Sequence, residues 1–172
     1  MRPATAQLHA MPLATFTIEP VRSGADLAAT TRLFDEYAAS LPVDLSYQDF
    51  AAELACLPGK YAPPAGELLL ARDAQGEPLG CVALRPIAPA GCSEMKRLYV
   101  RPRGRGLGLG MALVEAVLTV AARIGYREMR LDSLPSMVEA VALYKKAGFV
   151  PIEPYYDTPI EGTVFLGRLL TA

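Results

Sequence analysis

Apolar and polar positions alternate along the chain in two periods, one typical of strands and one of helices. Period-two or continuous apolar runs predict seven strands, at 16–22, 66–72, 79–85, 94–100, 128–134, 149–155 and 163–169. Helical spacing and capping residues predict four helices, at about 23–40, 46–57, 107–124 and 136–147. The resulting order, βααβββαβαββ, predicts an α/β (α+β) fold with a mixed, mostly antiparallel seven-stranded sheet and helices on both faces.

These elements predict a single domain over residues 16–172, preceded by an arm of residues 1–15 that we expect to be disordered. A chain of 172 residues is long enough to bury one core. The arm has no continuous apolar segment, which argues against a secretory signal, and Met11 is an alternative start. Polar residues interrupt every apolar stretch before about 18 residues, so we predict no membrane-spanning helix.

Charge and cysteine content exclude several classes of function. The net charge of -1 gives no field that would favour nucleic acid or an anionic membrane as the partner. Cys56, Cys81 and Cys92 form no CxxC pair, and the single histidine is His9 in the arm. We therefore expect no disulfide framework, no metal and no Cys–His nucleophile, but small buried cysteines in a cytoplasmic protein.

The glycine-rich segment 103–110 lies between a predicted strand and a predicted helix. It lacks the Gly-Lys-Ser/Thr ending of a nucleotide-triphosphate loop, and its glycines recur at every second position, unlike a GxGxxG dinucleotide fingerprint. Glycines that let backbone N–H groups approach phosphates, followed by a helix N-terminus, instead favour a pyrophosphate site for coenzyme A. Five basic residues surround the turn, namely Lys96, Arg97, Arg101, Arg103 and Arg105.

Two segments resemble motifs of the GCN5-related N-acetyltransferase (GNAT) family. Residues 98–113 are similar to its acetyl-CoA motif, with Arg103, Gly106 and Gly108 as the core, and residues 140–149 are similar to its second motif. The two motifs lie in the order and at the spacing of the family. The predicted elements cover the family fold from about Phe16 to Leu170.

The resemblance implies acetyl-CoA as co-substrate and no metal. Backbone groups of Leu98 and Val100 would pair with the pantetheine arm, because the family's strand before the glycine turn splays from its neighbour. The predicted pyrophosphate residues are Arg103, Arg105, Gly106, Leu107, Gly108, Leu109 and Gly110. Met137 stands where the family often has Asn, so that polar contact to the cofactor arm is either lost or supplied by another residue, with Ser133 and Ser136 as candidates.

The resemblance also implies two catalytic residues. Tyr144 matches the tyrosine that protonates the departing thiolate, and a phenol is protonated at neutral pH. The alternative for Tyr144 is a core aromatic residue on a short helix. Glu94 matches a position that often carries the general base. The alternative for Glu94 is an exposed acid paired with Lys96 or Arg97, and an ion pair with Lys96 would weaken its role as a base.

The implied function is transfer of an acetyl group from acetyl-CoA to a primary amine of a small molecule or peptide, by direct attack. A non-catalytic acyl-CoA-binding regulatory module and a protein that kept only the fold are the alternatives. Acceptor contacts are expected in three loops, with carboxylates to pair with the amine and tyrosines to wall it: Asp44, Asp157, Glu161, Tyr47, Tyr61, Tyr155 and Tyr156. Homodimers are common in the family, and the strands from Phe149 onward offer an edge for one.

Overall fold

The computed structural model describes residues 15–171, so nearly all of the predicted arm lies outside the described residues. The order of strands and longer helices is the predicted one. The strands are β1 (Phe16–Pro20), β2 (Glu67–Asp73), β3 (Pro78–Ile87), β4 (Cys92–Val100), β5 (Glu128–Ser133), β6 (Val150–Pro151) and β7 (Val164–Leu169). The helices are α1 (Gly24–Ser40), α2 (Phe50–Ala55), α3 (Leu109–Ile124) and α4 (Val138–Lys146), with short 3₁₀ turns between some elements.

The seven strands form one sheet in the order β1-β2-β3-β4-β5-β7-β6. Every neighbouring pair is antiparallel except β4 and β5, which run parallel. This confirms the predicted mixed, mostly antiparallel sheet.

Both faces of the sheet are covered by helices, as predicted, because residues 68–71 of β2 and 79–84 of β3 form continuous apolar runs. Leu69 of β2 and Val82 of β3 pack on the side of α3 and α4, in a cluster that includes Leu113 and Tyr144. The alternate residues of the same strands face a second cluster built around α1. Side chains of successive strand residues point to opposite faces, so a continuous apolar run fills two cores.

Several predicted element ends differ from the observed ones. Ser23 caps α1 in a reciprocal bond with Asp26, as the sequence allowed. Ser46, by contrast, caps no helix, because it lies in the 3₁₀ turn Leu45–Gln48 that Asp44 caps, and α2 begins only at Phe50.

Two further ends differ near the second motif. Ser136 does not cap α4, whose N-cap is Met137 without a side-chain bond. Strand β6 has only two residues instead of the predicted 149–155. Pro151 and Pro154 lack the N–H donors that a longer ladder would need.

Cys81 and Cys92 are buried as expected, but Cys56 is exposed at the end of α2. Of the helices in the described part of the chain, none is both long and apolar enough to span a bilayer.

Leu113 of α3 is fully buried between the helix and the sheet. We expect Leu113→Ala to lower the free energy of unfolding by about 2–5 kcal/mol, because it removes buried methyl groups and leaves a cavity. Urea unfolding followed by circular dichroism measures this. Val138→Ala is the control, since Val138 is 69% exposed and its substitution should change stability by less than about 0.5 kcal/mol. Equal effects of the two substitutions would contradict the assignment of Leu113 to the core.

Candidate active site

The parallel pairing of β4 with β5 is short. Only Cys92, Ser93 and Glu94 of β4 pair with β5, opposite Glu128, Met129 and Arg130. The rest of β4 continues to Val100 paired only with β3, while β5 pairs with β7 to its end at Ser133. The two strands therefore diverge beyond Glu94 and open a wedge in the middle of the sheet.

A β-bulge lies in β4 at the point where the wedge opens. Cys81 of β3 pairs with Tyr99 and Ala83 with Lys96, so Val82 faces two residues of β4. One of them, Arg97, has a left-handed φ of 57°. Its guanidinium, 2% exposed, bonds Glu53 of α2 through Nε and Nη2 at 3.0 and 2.7 Å. The ion pair holds the bulge, which bends the strand and re-aims the residues after it.

The glycine turn joins β4 to α3. Gly106 and Gly108 have φ of 75° and 77°, a conformation that side chains rarely adopt, and a Cβ atom on either would meet nothing within 4 Å. Gly104 and Gly110 are needed for packing instead, since a Cβ would lie 3.1 Å from Val100 Cγ1 and 3.3 Å from Leu143 Cδ2, respectively.

Helix α3 begins at Leu109, two residues after the predicted start at Leu107, and no side chain caps it. The amides of its first turn therefore have no partner within the helix and carry the positive end of its dipole. Open backbone at Gly106 and Gly108 followed by such a helix start is the arrangement that favours anion binding.

A cleft of about 470 Å³ runs from this turn into the wedge. We call it the donor cleft. Its walls come from the end of α1, the end of β4, the turn, the start of α3 and one side of α4. The residues are Tyr37, Ser40, Leu98, Tyr99, Val100, Gly104, Arg105, Gly106, Gly108, Leu109, Gly110, Met111, Met137, Glu139, Ala140, Leu143 and Lys146. Of the predicted cofactor-binding residues, Arg103, Leu107 and Ser133 do not line it.

The basic residues around the turn are bonded to partners in other elements. Lys96 pairs with Asp132, Arg97 with Glu53, Arg101 with Glu36, and Arg103 with Asp73 and the Pro78 carbonyl. Within the described part of the chain, Arg105 donates only to the Val100 carbonyl, at 3.1 Å. The sequence brought these five cations together, but the fold directs four of them to carboxylates. Lys146, in the last turn of α4, lines the cleft and was missed, although the pair Lys145-Lys146 lies inside the second motif.

A narrow cavity of about 30 Å³, here called the throat, lies where β4 and β5 diverge. It shares Tyr37, Leu98 and Met137 with the donor cleft and also contains Tyr144 and Ser133. Among the described residues, none makes a hydrogen bond to the Tyr144 hydroxyl. Burial raises the pKa of Tyr144, and nearby Tyr37 and Asp132 raise it further, so the phenol keeps its proton at neutral pH.

Glu94 is 1% exposed, so the alternative interpretation, an exposed acid paired with Lys96 or Arg97, is wrong. Its Oε2 accepts from Arg85 Nε at 2.6 Å and its Oε1 from the Tyr155 hydroxyl at 2.7 Å. Arg85 lies directly across from Glu94 on β3. This position explains why Arg85, and not Lys96, forms the ion pair with Glu94. Lys96 instead bonds Asp132 of β5 at 3.1 Å.

A third cavity, of about 280 Å³, lies on the other side of the throat and is called the acceptor cavity. Its walls are Tyr47, Gln48, Arg85, Lys96, Arg97, Tyr156 and Asp157, of which Tyr47, Gln48, Lys96 and Arg97 also line the throat.

Three of the residues proposed for the acceptor, Tyr47, Tyr156 and Asp157, thus lie in one cavity. The others have different surroundings: Asp44 caps a turn, Tyr61 is buried and donates to Glu53, and Tyr155 donates to Glu94. Glu161 is exposed and does not line this cavity. Arg85 and Asp132 carried no motif signal and were missed by the sequence.

Comparisons with known proteins agree with this geometry. A family model described as the acetyltransferase (GNAT) family matches residues 30–149. An uncharacterised N-acetyltransferase of Schizosaccharomyces pombe is 45% identical over 150 residues, which cover 87% of this chain and 92% of that protein.

Solved structures share the fold. A GNAT-family acetyltransferase of Staphylococcus aureus superposes with a TM-score of 0.73 at 18% identity, covering 91% of this chain and 100% of the other. A phosphinothricin acetyltransferase of Sinorhizobium meliloti, solved in complex with AcCoA, superposes with a TM-score of 0.68 at 20% identity, covering 91% and 89% of the two chains. Sequence, fold and relatives agree that the chain belongs to the GNAT family and is an acyl-CoA-dependent N-acyltransferase.

Proposed function

We propose that the protein transfers an acetyl group from acetyl-CoA to a primary amine by direct attack, with no covalent enzyme intermediate. The observation that carries the proposal is the throat, which shares wall residues with both the donor cleft and the acceptor cavity and contains the Tyr144 hydroxyl. An amine in one cavity and a thioester in the other would meet at this hydroxyl.

The donor cleft fits the chemistry of coenzyme A. Open backbone at Gly106 and Gly108 and the uncapped start of α3 suit the pyrophosphate. Leu98 and Val100 line the cleft on the part of β4 without a partner on β5, where the pantetheine amides can pair. Arg105 holds the Val100 carbonyl, so we expect it to release this oxygen when the co-substrate binds.

Three other predicted cofactor contacts receive less support. Leu107 is exposed and does not line the cleft. Arg103 is held at the β2–β3 hairpin by Asp73, and Ser133 lies in the throat instead of the cleft. Lys146 and Arg105, in contrast, line the cleft without a carboxylate partner among the described residues, and we propose them as contacts to the cofactor phosphates.

Tyr144 is the proposed general acid. Acetyl-CoA supplies the acetyl group as a thioester, and its sulfur leaves as a thiolate that needs a proton. A buried phenol that keeps its proton, with no hydrogen-bond acceptor among the described residues, can donate that proton to the sulfur. Solvent then restores the proton of Tyr144.

Glu94 is the proposed general base. Both of its oxygens are occupied, so a proton from the amine reaches it through water or through the Tyr155 hydroxyl, which already donates to Oε1. Asp132 is the competing carboxylate, because it lines the throat, but Lys96 and Tyr156 hold it. The nitrogen loses two protons as the amide forms and the sulfur gains one, so the reaction releases one proton.

The cellular location of the protein, its oligomeric state and the single domain over residues 16–172 stay predictions. We propose a cytoplasmic enzyme acting on a small-molecule or peptide amine, in accord with the composition. A homodimer through the β6–β7 edge is the proposed assembly if one forms.

Tyr144→Phe should lower kcat at least tenfold without changing acetyl-CoA affinity, because positioned acids contribute about 10²–10⁴-fold. The measurement is thiol release from acetyl-CoA with a panel of primary amines, together with calorimetry of CoA binding. Tyr126→Phe is the control, since the Tyr126 hydroxyl donates to the Ala65 carbonyl and lines none of the three cavities of the site. An unchanged rate would remove the acid role. A wild-type protein that binds CoA but never releases thiol would be the non-catalytic module.

Glu94→Gln should lower kcat/KM by about 10²-fold near neutral pH, because an amide cannot accept a proton. The loss should shrink as the pH approaches about 10, where a primary amine is already deprotonated and needs no base. Asp132→Asn should lower kcat/KM by a factor that does not change with pH in this way, through the loss of the Lys96 pair. The check is kcat/KM of the wild type and both variants at several pH values. If only the loss in Asp132→Asn shrinks at high pH, Asp132 is the base and Glu94 positions Arg85.

Gly106→Val should abolish CoA binding in calorimetry, because a β-branched residue is strained at positive φ and its side chain would fill the approach to the backbone amides. Gly76→Val is the matched control. Gly76 has a φ of 83° in the β2–β3 turn and equally open surroundings, so its substitution adds a similar strain outside the cleft. Normal CoA binding by Gly106→Val would place the pyrophosphate elsewhere.

A further inference from the structure

We propose that the acceptor is a primary amine that also carries a carboxylate, and that Arg85 binds this carboxylate. The inference rests on the proposed function and names the substrate class of the same site. It is carried by the unused donors of Arg85, by the position of this side chain between two cavities and by the charges of their walls.

The hydrogen bonding of Arg85 differs from that of the neighbouring arginines. Arg97 and Arg101 each use all three guanidinium nitrogens, on carboxylate, amide or carbonyl oxygens. Arg85 uses Nε alone, on Glu94 at 2.6 Å. Within residues 15–171, neither terminal nitrogen of Arg85 has a hydrogen-bond partner.

The free end of Arg85 is part of the walls of two adjoining cavities. One is the acceptor cavity, and the other is a cavity of about 270 Å³ between α2 and the turn that follows it. Its side chain is 27% exposed, so a ligand can reach it. A planar guanidinium with its terminal N–H groups free binds a carboxylate through two parallel bonds.

The charges around the acceptor cavity favour a zwitterion over a simple ammonium ion. Arg85, Lys96 and Arg97 line it, and Asp157 is its only acidic wall residue among those described. The carboxylates that balance the three cations are Glu94, Asp132 and Glu53, each already in an ion pair. With the three cations paired, Asp157 has no ion-pair partner among the described residues and can attract the ammonium group. The unbonded terminal N–H groups of Arg85 can bind a carboxylate of the same molecule.

The second cavity indicates what else the acceptor carries. Its wall contains Ala52, Leu57 and Pro58 next to Arg85. Such a surface suits an aliphatic or aromatic side group. The structure therefore favours an amino acid with an apolar side chain, with its carboxylate at Arg85 and its amine directed to the throat.

The test uses matched amines with purified full-length protein and acetyl-CoA. Each amino acid is paired with the amine that lacks its carboxylate: leucine with isoamylamine, phenylalanine with phenethylamine, and γ-aminobutyrate with propylamine. We expect kcat/KM, measured by thiol release, to be at least about tenfold higher for one or more of the acids, the range of a hydrogen bond to a charged group.

The variants separate the proposed contact of Arg85 with the substrate carboxylate from the effect of Arg85 on Glu94. Arg85→Met removes the partner of Glu94 and can slow every reaction, so the readout is the ratio of kcat/KM within each pair. That ratio should fall to about one in Arg85→Met. It should be partly restored in Arg85→Lys, because lysine keeps the positive charge but lacks the two parallel N–H donors of the guanidinium. Arg123→Met, on the exposed end of α3, should leave the ratio unchanged.

An inhibition measurement covers variants that fail to fold. Isocaproate, which is leucine without its amine, should inhibit wild-type acetylation of isoamylamine competitively with the amine. Acetylation of the amines that lack a carboxylate with equal or greater efficiency, and no inhibition by isocaproate, would overturn the inference and leave the proposed function intact. Absence of thiol release with every amine would overturn both.

Discussion

The divergence of β4 from β5 after Glu94 is the constraint on which the site depends. Three paired residues hold the two halves of the sheet together, and beyond them each strand keeps only its other neighbour. Backbone groups left without a ladder partner need another one, and the pantetheine amides of the proposed co-substrate would supply it. The same divergence creates the throat, so donor binding and amine access follow from one break in the sheet.

A buried ion pair fixes the place where the strands diverge. Arg97 has a left-handed backbone conformation in the bulge, and its guanidinium forms an ion pair with Glu53 of α2. Removing one member of such a pair is costly, because the other is left charged and buried. Helix α2 therefore has two roles, since it anchors the bulge and also forms a wall of the cavity beside Arg85.

The charges of the site are arranged in pairs across neighbouring elements. Lys96 with Asp132, Arg97 with Glu53 and Arg85 with Glu94 form three ion pairs around the acceptor cavity. Little free positive charge is left near the glycine turn, so the proposed phosphate site depends mainly on backbone amides and the dipole of α3. Arg85 is the cation in this group whose terminal donors stay free among the described residues, which makes it the point of contact proposed for the acceptor.

The sequence by itself determined the order of the elements, the two-sided core and the glycine turn. These features depend on local periodicity and on residues such as Gly106 and Gly108, whose backbone conformation is a property of the residue type. The second motif also predicted Tyr144 as a site residue, and in the fold its side chain lines the throat. The length of β6 was predicted less well than these features. A proline such as Pro151 ends a strand only where its missing N–H would have to bond a neighbouring strand, and the sequence does not show which strand that is.

Only the tertiary structure decided the partners of the charged side chains. Glu94 was expected near Lys96 but bonds Arg85, and Lys96 bonds Asp132, 36 residues away along the chain. Such pairs depend on strand register and on packing between distant segments, which a one-dimensional pattern does not encode. The cavities could not be predicted for the same reason. Each is a space between several elements, so its shape depends on how those elements pack together.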